Sequence, residues 1–147
     1  MVSLEVPASY GWVVMVVVAK VLLNIWMGFQ VGAARRKYKV FYPTMYANES
    51  DNKDAKLFNC VQRGHQNCLE FISVFFALLL LGGLQHPKVA SVLGVFYLVS
   101  RYYYFTGYAS GEPQNRLTLG KYHFFGLFGL LLCTISFGVH LLYNSKT

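Results

Sequence analysis

Four long apolar runs divide the sequence, and short polar or basic segments separate them. They cover approximately residues 10–31, 60–84, 88–108 and 117–143. A helix needs about 20 mostly apolar residues to cross a bilayer, because each residue adds about 1.5 Å of rise. The pattern predicts an all-α integral membrane protein: one domain over residues 1–147, folded as a bundle of four transmembrane helices.

Composition favours the same class. Hydrophobic residues make up 55% of the chain and charged residues only 13%, whereas soluble domains carry about 25% charged residues. A soluble helical bundle is the less favoured alternative, since too few charged residues are present to cover its surface.

Basic residues concentrate at one end of the predicted bundle. One group, in or beside the segments 32–58 and 109–117, comprises Arg35, Arg36, Lys37, Lys39, Lys53, Lys56, Arg116 and Lys121, and the opposite end has only Lys88 and Lys146. The positive-inside bias places both segments in the cytosol and both termini in the lumen. The net charge of +7 is explained by these membrane-end positions, so no nucleic-acid partner is expected.

Polar side chains open the second apolar run, in the stretch FNCVQRGHQNCLEF at 58–71. Arg63, Asn67 and Glu70 follow at spacings of four and three, so they share one helix face. About 10 Å of helix separates Arg63 from Glu70, close to the length of an extended tripeptide. A cation and an anion at that separation indicate a small zwitterionic ligand.

Other predicted helices place polar residues at the same depth. With the topology above, eight side chains converge at the cytosolic membrane boundary: Arg35, Arg36, Arg63, Asn67, Glu70, Tyr104, Tyr108 and Arg116. We predict that the functional site lies there.

Several of these side chains have simpler interpretations. Arg35 and Arg36 can act as topology anchors, and Tyr104 and Tyr108 as interfacial aromatics. Arg101 can pair with Glu70 across helices. An unpaired Glu70 at membrane depth would be costly, and such residues are functional by default. The three cysteines and His65 lack metal-ligand spacing, so no metal is predicted.

Four sequence strings resemble one membrane protein family. ARRKYKVFYP (34–43), FNCVQRGHQNCLE (58–70), YYFTGY (103–108) and GEPQNR (111–116) resemble the membrane-associated proteins in eicosanoid and glutathione metabolism. The resemblance covers nearly the whole chain. It implies a homotrimer in the endoplasmic reticulum membrane that binds glutathione, as co-substrate, at subunit interfaces near the cytosol.

Residue roles are carried over from the leukotriene C4 synthase branch of that family. Arg35 and Arg63 would bind the glutathione carboxylates, Arg116 would face the thiol, and Arg36 would assist the electrophile. The polar backbone and amino group of glutathione would contact Asn67, Glu70, Tyr104 and Tyr108. This chain departs from that branch in three ways: Phe71 replaces a tyrosine, His65 replaces a glutamine, and Arg116 follows Tyr108 by one residue more.

The implied chemistry depends on one proton. A free thiol has a pKa near about 8.5, and the thiolate is the nucleophile. A guanidinium beside it favours the thiolate, which would attack a lipid hydroperoxide or a hydrophobic electrophile arriving from the membrane lipids. Two other classes stay open. One is a non-enzymatic lipid-binding scaffold, which would lack the thiol-activating arginine. The other is an ion pathway, which would need polar residues further along the second predicted helix, where the stretch ISVFFALLLL is almost entirely apolar.

Overall fold

Residues 5–144 fold into five α-helices. A computed structural model describes residues 5–144, so Lys146, counted in the topology prediction, lies outside the described residues. The helices are α1 (Gly11–Tyr38), α2 (Ala55–Glu70), α3 (Ile72–Gln85), α4 (Pro87–Ala109) and α5 (His123–Asn144). Short 3₁₀ turns cover Ala8–Tyr10, Pro113–Leu117 and Gly120–Tyr122. No strand occurs among residues 5–144, which confirms the all-α prediction.

Helices α2 and α3 lie end to end as one rod. Phe71 joins them in a helical conformation (φ −94°, ψ −3°), and its carbonyl accepts the Phe75 N–H at 3.0 Å. Three rods are long and apolar enough to cross a membrane, at Ala8–Tyr38, Ala55–Gln85 and Gly120–Asn144. Helix α4 is not among them, so its membrane crossing stays a prediction, as does the homotrimer.

Three helix ends differ by several residues from the bounds of the apolar runs, and one of them is the start of α2 at Ala55, ahead of the run that begins at 60. Helix α1 continues past residue 31 through Arg35 and Arg36, because basic side chains in a last turn interact favourably with the helix dipole. It ends at Tyr38, and the next residue, Lys39, adopts the left-handed conformation (φ 56°) and donates its N–H to the Arg35 carbonyl. Helix α5 begins at His123, since 3₁₀ turns occupy the segment just before it.

The rods alternate in direction, and α4 packs against all the other α-helices. Two apolar clusters form the core. One contains Met27, Phe58 and Phe105 near the end that carries Arg35 and Arg116, here called the basic end. The other contains Val13, Phe75, Leu79 and Leu130 towards the opposite end.

The outer surface of the bundle is apolar. Trp12, Phe29, Phe125 and Leu132 each expose about two thirds or more of their area. Monomeric soluble proteins rarely expose large contiguous apolar surface, so the rods present the surface expected of a protein in lipid.

Candidate functional site

An ion pair occupies the exposed face of α2. Arg63 donates from Nη1 to Glu70 Oε1 at 2.6 Å and from Nη2 to Oε2 at 3.4 Å. The side chains remain 41% and 42% exposed. The backbone spacing of Arg63 and Glu70 predicted that the two charges lie about 10 Å apart. That inference was wrong, because the side chains extend along the helix towards each other until the charged groups meet.

Asn67 connects this pair to the interior. Its Nδ2 donates to Glu70 Oε2 at 3.2 Å, and its Oδ1 accepts from Arg101 Nη2 at 2.8 Å. Arg101 therefore connects to Glu70 through Asn67. The direct Arg101–Glu70 ion pair, considered as an alternative from the sequence, is not the contact that the structure shows. A relay of three side chains links α4 to the exposed face of α2.

Arg101 is the centre of a fully buried cluster. Its side chain has no exposed area. Nη2 also donates to Cys68 Sγ at 3.0 Å, and Nη1 lies 3.4 Å from His123 Nε2. The guanidinium lies over the Tyr104 ring, 4.3 Å from its centroid. Arg101 thus connects α2, α4 and α5.

Sequence reasoning did not identify His123. Its Nδ1 lies 2.6 Å from the Gly120 carbonyl oxygen, which can only accept, so Nδ1 carries a proton in this hydrogen bond. In the neutral ring Nε2 is then free to accept from Arg101. The sequence signal that could have identified His123 was its position. It is a histidine at the start of the last rod, at the depth of the predicted site.

Tyr104, Tyr108 and Arg116 form the next part of the site. The two tyrosine ring centroids lie 6.0 Å apart, and the Arg116 guanidinium lies 5.2 Å from the Tyr108 ring centroid. Arg116 also donates to the Pro113 carbonyl. The thiol role predicted for Arg116 requires a ligand beside Tyr108, where an open cleft lies.

Glycines hold the segment 110–122 between α4 and α5, here called the Arg116 segment, against α4. A Cβ atom at Gly107 would lie 2.5 Å from the Asn115 carbonyl oxygen, and one at Gly120 would lie 2.6 Å from Tyr104 Cα. Both approaches are too close for any residue with a side chain. The backbone of the segment therefore contacts α4 at two glycines.

A cleft of about 380 Å³ opens at the basic end. Arg63 and Tyr108 line it from α2 and α4. The other lining residues are Tyr46, Glu49, Lys56, Asn59, Cys60 and Pro113. Lys56 Nζ contacts Glu112 Oε1 at 2.7 Å and so joins the start of α2 to the Arg116 segment. Six of the eight predicted site residues therefore line this cleft or connect to it through contacts.

Arg35 and Arg36 lie apart from this group. Arg35 is buried, donates from Nη1 to the Thr44 carbonyl at 2.7 Å, and lies 4.3 Å from the Tyr42 ring centroid. Arg36 is exposed at the end of α1. Among residues 5–144, neither makes a hydrogen bond or ion pair with the residues of the cleft.

A larger groove lies far from the cleft at the basic end. It has a volume of about 570 Å³ and runs between α1 and α4, from Trp12 to Ala19 and from Lys88 to Val95. Sixteen residues of α1 separate Ala19 from Arg35, which corresponds to about 24 Å. The groove therefore lies towards the opposite end of the bundle from the cleft.

Within the part of the chain that the structure describes, no three side chains of His, Cys, Asp or Glu are grouped to hold a metal ion. Cys60, Cys68 and Cys133 are all buried free thiols.

Comparisons with known proteins place the chain in a family. It is 38% identical over 100 residues to bovine microsomal glutathione S-transferase 2, a match that covers 65% of this chain and 64%, just under two thirds, of the relative. It is 34% identical over 117 residues to the human protein of that name, covering 76% and 75%. Mouse leukotriene C4 synthase is 36% identical over 99 residues, covering 67% and 61%. The model of the MAPEG family matches residues 13–136, so the chain belongs to the MAPEG family.

Proposed function

We propose that this protein is a membrane glutathione transferase and glutathione-dependent peroxidase. One observation carries the proposal: Arg63, Asn67 and Glu70 on α2 connect to Tyr108 and Arg116 around one cleft. The names of the relatives, glutathione S-transferase and leukotriene C4 synthase, support glutathione as the co-substrate.

Glutathione binding would use opposite charges in the cleft. Arg63 would bind a carboxylate in a bidentate manner, Glu70 the ammonium, and Asn67, Tyr104 and Tyr108 the polar groups between them. Arg35 has the least support as a carboxylate ligand, because its guanidinium already bonds to its own loop. If Arg35 and Arg36 contribute, they do so from a second copy of the chain, which is the arrangement that the proposed homotrimer requires.

Arg116 would supply the chemical activation. A guanidinium within about 4 to 6 Å lowers the pKa of an acid by about 1 to 3 units, and a lowering of about two units leaves most of a bound thiol ionised near neutral pH. Arginine cannot release its proton there, so it would act by electrostatic stabilisation. Arg36 would assist the electrophile.

The thiolate would then react in one of two ways. Attack on an electrophilic carbon forms a thioether and expels the leaving group. Attack on the terminal oxygen of a lipid hydroperoxide gives the alcohol and a sulfenic acid, which a second glutathione converts to the disulfide and water. The hydrophobic substrate would enter from the membrane lipids along the exposed apolar surface.

The expected location is the endoplasmic reticulum membrane, with the basic end in the cytosol and both termini in the lumen. The clustering of Arg35, Arg36 and Arg116 at one end supports this orientation.

A lipid-binding scaffold without enzymatic activity is the second candidate. The apolar groove between α1 and α4 favours it, since its wall is nearly all apolar and it lies far from the cleft.

Glutathione consumption by the purified protein tests the proposal. The assay would supply a lipid hydroperoxide or, separately, an activated aryl halide, and compare wild type with Arg116→Ala. Lys121→Ala is the matched control, an exposed basic residue of the same segment. Turnover that collapses only in Arg116→Ala, with glutathione binding retained, would support the enzyme and show which reaction dominates. A wild type that binds lipid but turns over neither substrate would favour the scaffold.

A further inference from the structure

His123 lies at the junction between the Arg116 segment and the buried cluster around Arg101. It is the first residue of α5 and only 3% exposed. Its ring meets the rings of Phe71 and Tyr104 edge to face, with centroids 5.8 Å apart in both pairs. Because the ring is enclosed, any effect of His123 on the cleft must pass through its neighbours.

Both ring nitrogens of His123 have a defined partner. Nδ1 donates to the Gly120 carbonyl oxygen at 2.6 Å, and this oxygen also accepts the backbone N–H of His123. The hydrogen bond of one ring nitrogen determines the role of the other. In the neutral ring Nε2 is therefore the acceptor, and it lies 3.4 Å from Arg101 Nη1. Gly120 thus fixes the orientation in which the ring presents its acceptor to Arg101.

Arg101 has neutral hydrogen-bond partners. Nη2 of this fully buried guanidinium donates to Asn67 Oδ1 at 2.8 Å and to Cys68 Sγ at 3.0 Å. Among residues 5–144, His123 is the hydrogen-bond partner of Nη1, and Nε has none. A buried charged donor that loses its acceptor is costly. Without the imidazole, we expect the guanidinium to reorient towards other acceptors, and Asn67 then loses its fixed position.

We propose that His123 is a positioning residue for the glutathione reaction, because it holds Arg101 in the orientation that fixes Asn67. The inference rests on the proposed function and assigns a role to a side chain outside the proposed ligand-binding set. The contacts run from Gly120 in the Arg116 segment through His123 and Arg101 to Asn67 on α2. The segment that activates the thiol and the helix that binds the peptide are thereby held in a constant relative position.

Three substitutions separate the two hydrogen bonds of the ring. His123→Asn places an amide N–H near the position of Nδ1, so it can donate to Gly120, but its side chain is too short to reach Arg101. His123→Gln places an amide oxygen near the position of Nε2, so it can accept from Arg101 without the ring nitrogen that donates to Gly120. His123→Phe keeps an aromatic ring and loses both hydrogen bonds.

Glutathione binding and steady-state kinetics of the full chain in lipid nanodiscs test the role. His123→Phe and His123→Asn should raise the Kd and KM for glutathione about tenfold, the effect of losing one hydrogen bond to a charged group. His123→Gln should recover most of that loss. Tm would be measured on the same preparations. A residue that only stabilised the fold would lower Tm and the active fraction, which reduces the apparent kcat and leaves KM unchanged.

Recovery of KM in His123→Gln but not in His123→Asn is the decisive result. A wild-type KM in His123→Phe, or the same KM in both amide variants, overturns the positioning role while the proposed function stands. If His123→Gln does not fold, His123→Asn decides alone: a raised KM supports the role and a wild-type KM overturns it. If wild type shows no saturable glutathione binding, the proposed function fails and the positioning role with it.

His86→Gln is the matched control. His86 also bonds across helices, with its Nε2 lying 3.0 Å from Ser136 Oγ at the end of the bundle opposite the cleft. The substitution should leave the Kd and KM for glutathione at their wild-type values. An equal rise of KM in His86→Gln would mean that any loosening of the bundle disturbs the cleft, which also overturns the specific role of His123.

Discussion

Arg63 and Arg101 both belong to the polar network of α2, but they are placed very differently. Arg101 has no exposed area and contacts side chains of α2 and α5. Arg63 is 41% exposed and pairs with one residue of its own helix. Arg101 is held by side chains of two other helices, whereas among residues 5–144 Arg63 pairs only with the exposed Glu70, a partner that a ligand can replace. The difference separates an arginine that holds helices together from one that is available to a ligand.

Their energetic roles should differ accordingly. Removing one partner of a buried charged network leaves the remaining polar groups unsatisfied and opens a cavity. Removing an exposed partner lets water take its place. Stability measurements on variants can therefore test whether the two arginines differ in this way.

The largest effect is expected for Arg101→Ala. Asn67 and His123 would lose their partner and the space of the side chain would be empty, at a cost of about 3 to 5 kcal/mol in the free energy of unfolding. Thermal unfolding in detergent would show it as a strongly lowered Tm. Arg63→Ala is the matched variant and should shift Tm by only a small fraction of that amount. Equal shifts would remove the distinction between the two arginines.

Gly107→Ala should have the next largest effect. Its new methyl group would meet the Asn115 carbonyl at 2.5 Å, so the Arg116 segment must shift, at about 1 to 3 kcal/mol. Turnover of glutathione should fall together with Tm. Gly138→Ala serves as the control because no atom lies within 4 Å of its added Cβ. A fully active, stable Gly107→Ala would show that the position of Arg116 is not critical.

Arg63→Lys should alter binding without altering stability. An ammonium cannot form the two parallel hydrogen bonds of a guanidinium, so glutathione affinity should fall about tenfold while Tm stays near the wild-type value. Calorimetric Kd values and unfolding curves on the same preparations check both. A large loss of Tm would place Arg63 with Arg101 as a structural residue.

Lys56→Ala should have the smallest effect. Its ion pair with Glu112 is more than half exposed on both sides, and such pairs contribute little. Neither Tm nor kcat should change measurably. A clear fall in kcat with an unchanged Tm would instead assign the Lys56–Glu112 contact a role in placing Arg116.

The helices and the polar stripe of α2 could be predicted from local pattern. Apolar runs and the spacing of Arg63, Asn67 and Glu70 are properties of neighbouring residues. The distance between the charged groups of Arg63 and Glu70 could not be predicted in this way. Helical periodicity sets the direction of Cβ atoms but leaves several side-chain torsions free.

The buried cluster around Arg101 could not be predicted either. Arg101 meets Asn67 from 34 positions away and His123 from 22. Such pairings depend on how helices pack, and no local pattern contains them. The starts and ends of the helices could not be predicted from the apolar pattern either, because capping and 3₁₀ turns determine where α1 ends and α5 begins.

The close packing of Gly107 and Gly120 bears on how freely one wall of the cleft can be displaced. The backbone of the Arg116 segment meets α4 at both glycines, so a displacement of this wall would have to break both contacts. The opposite wall includes Tyr46 and Glu49 in the loop after α1, and the Asn59 side chain holds this loop through hydrogen bonds to the Ala47 backbone. We therefore expect any opening of the cleft to involve that loop, which two side-chain hydrogen bonds hold, more than the Arg116 segment.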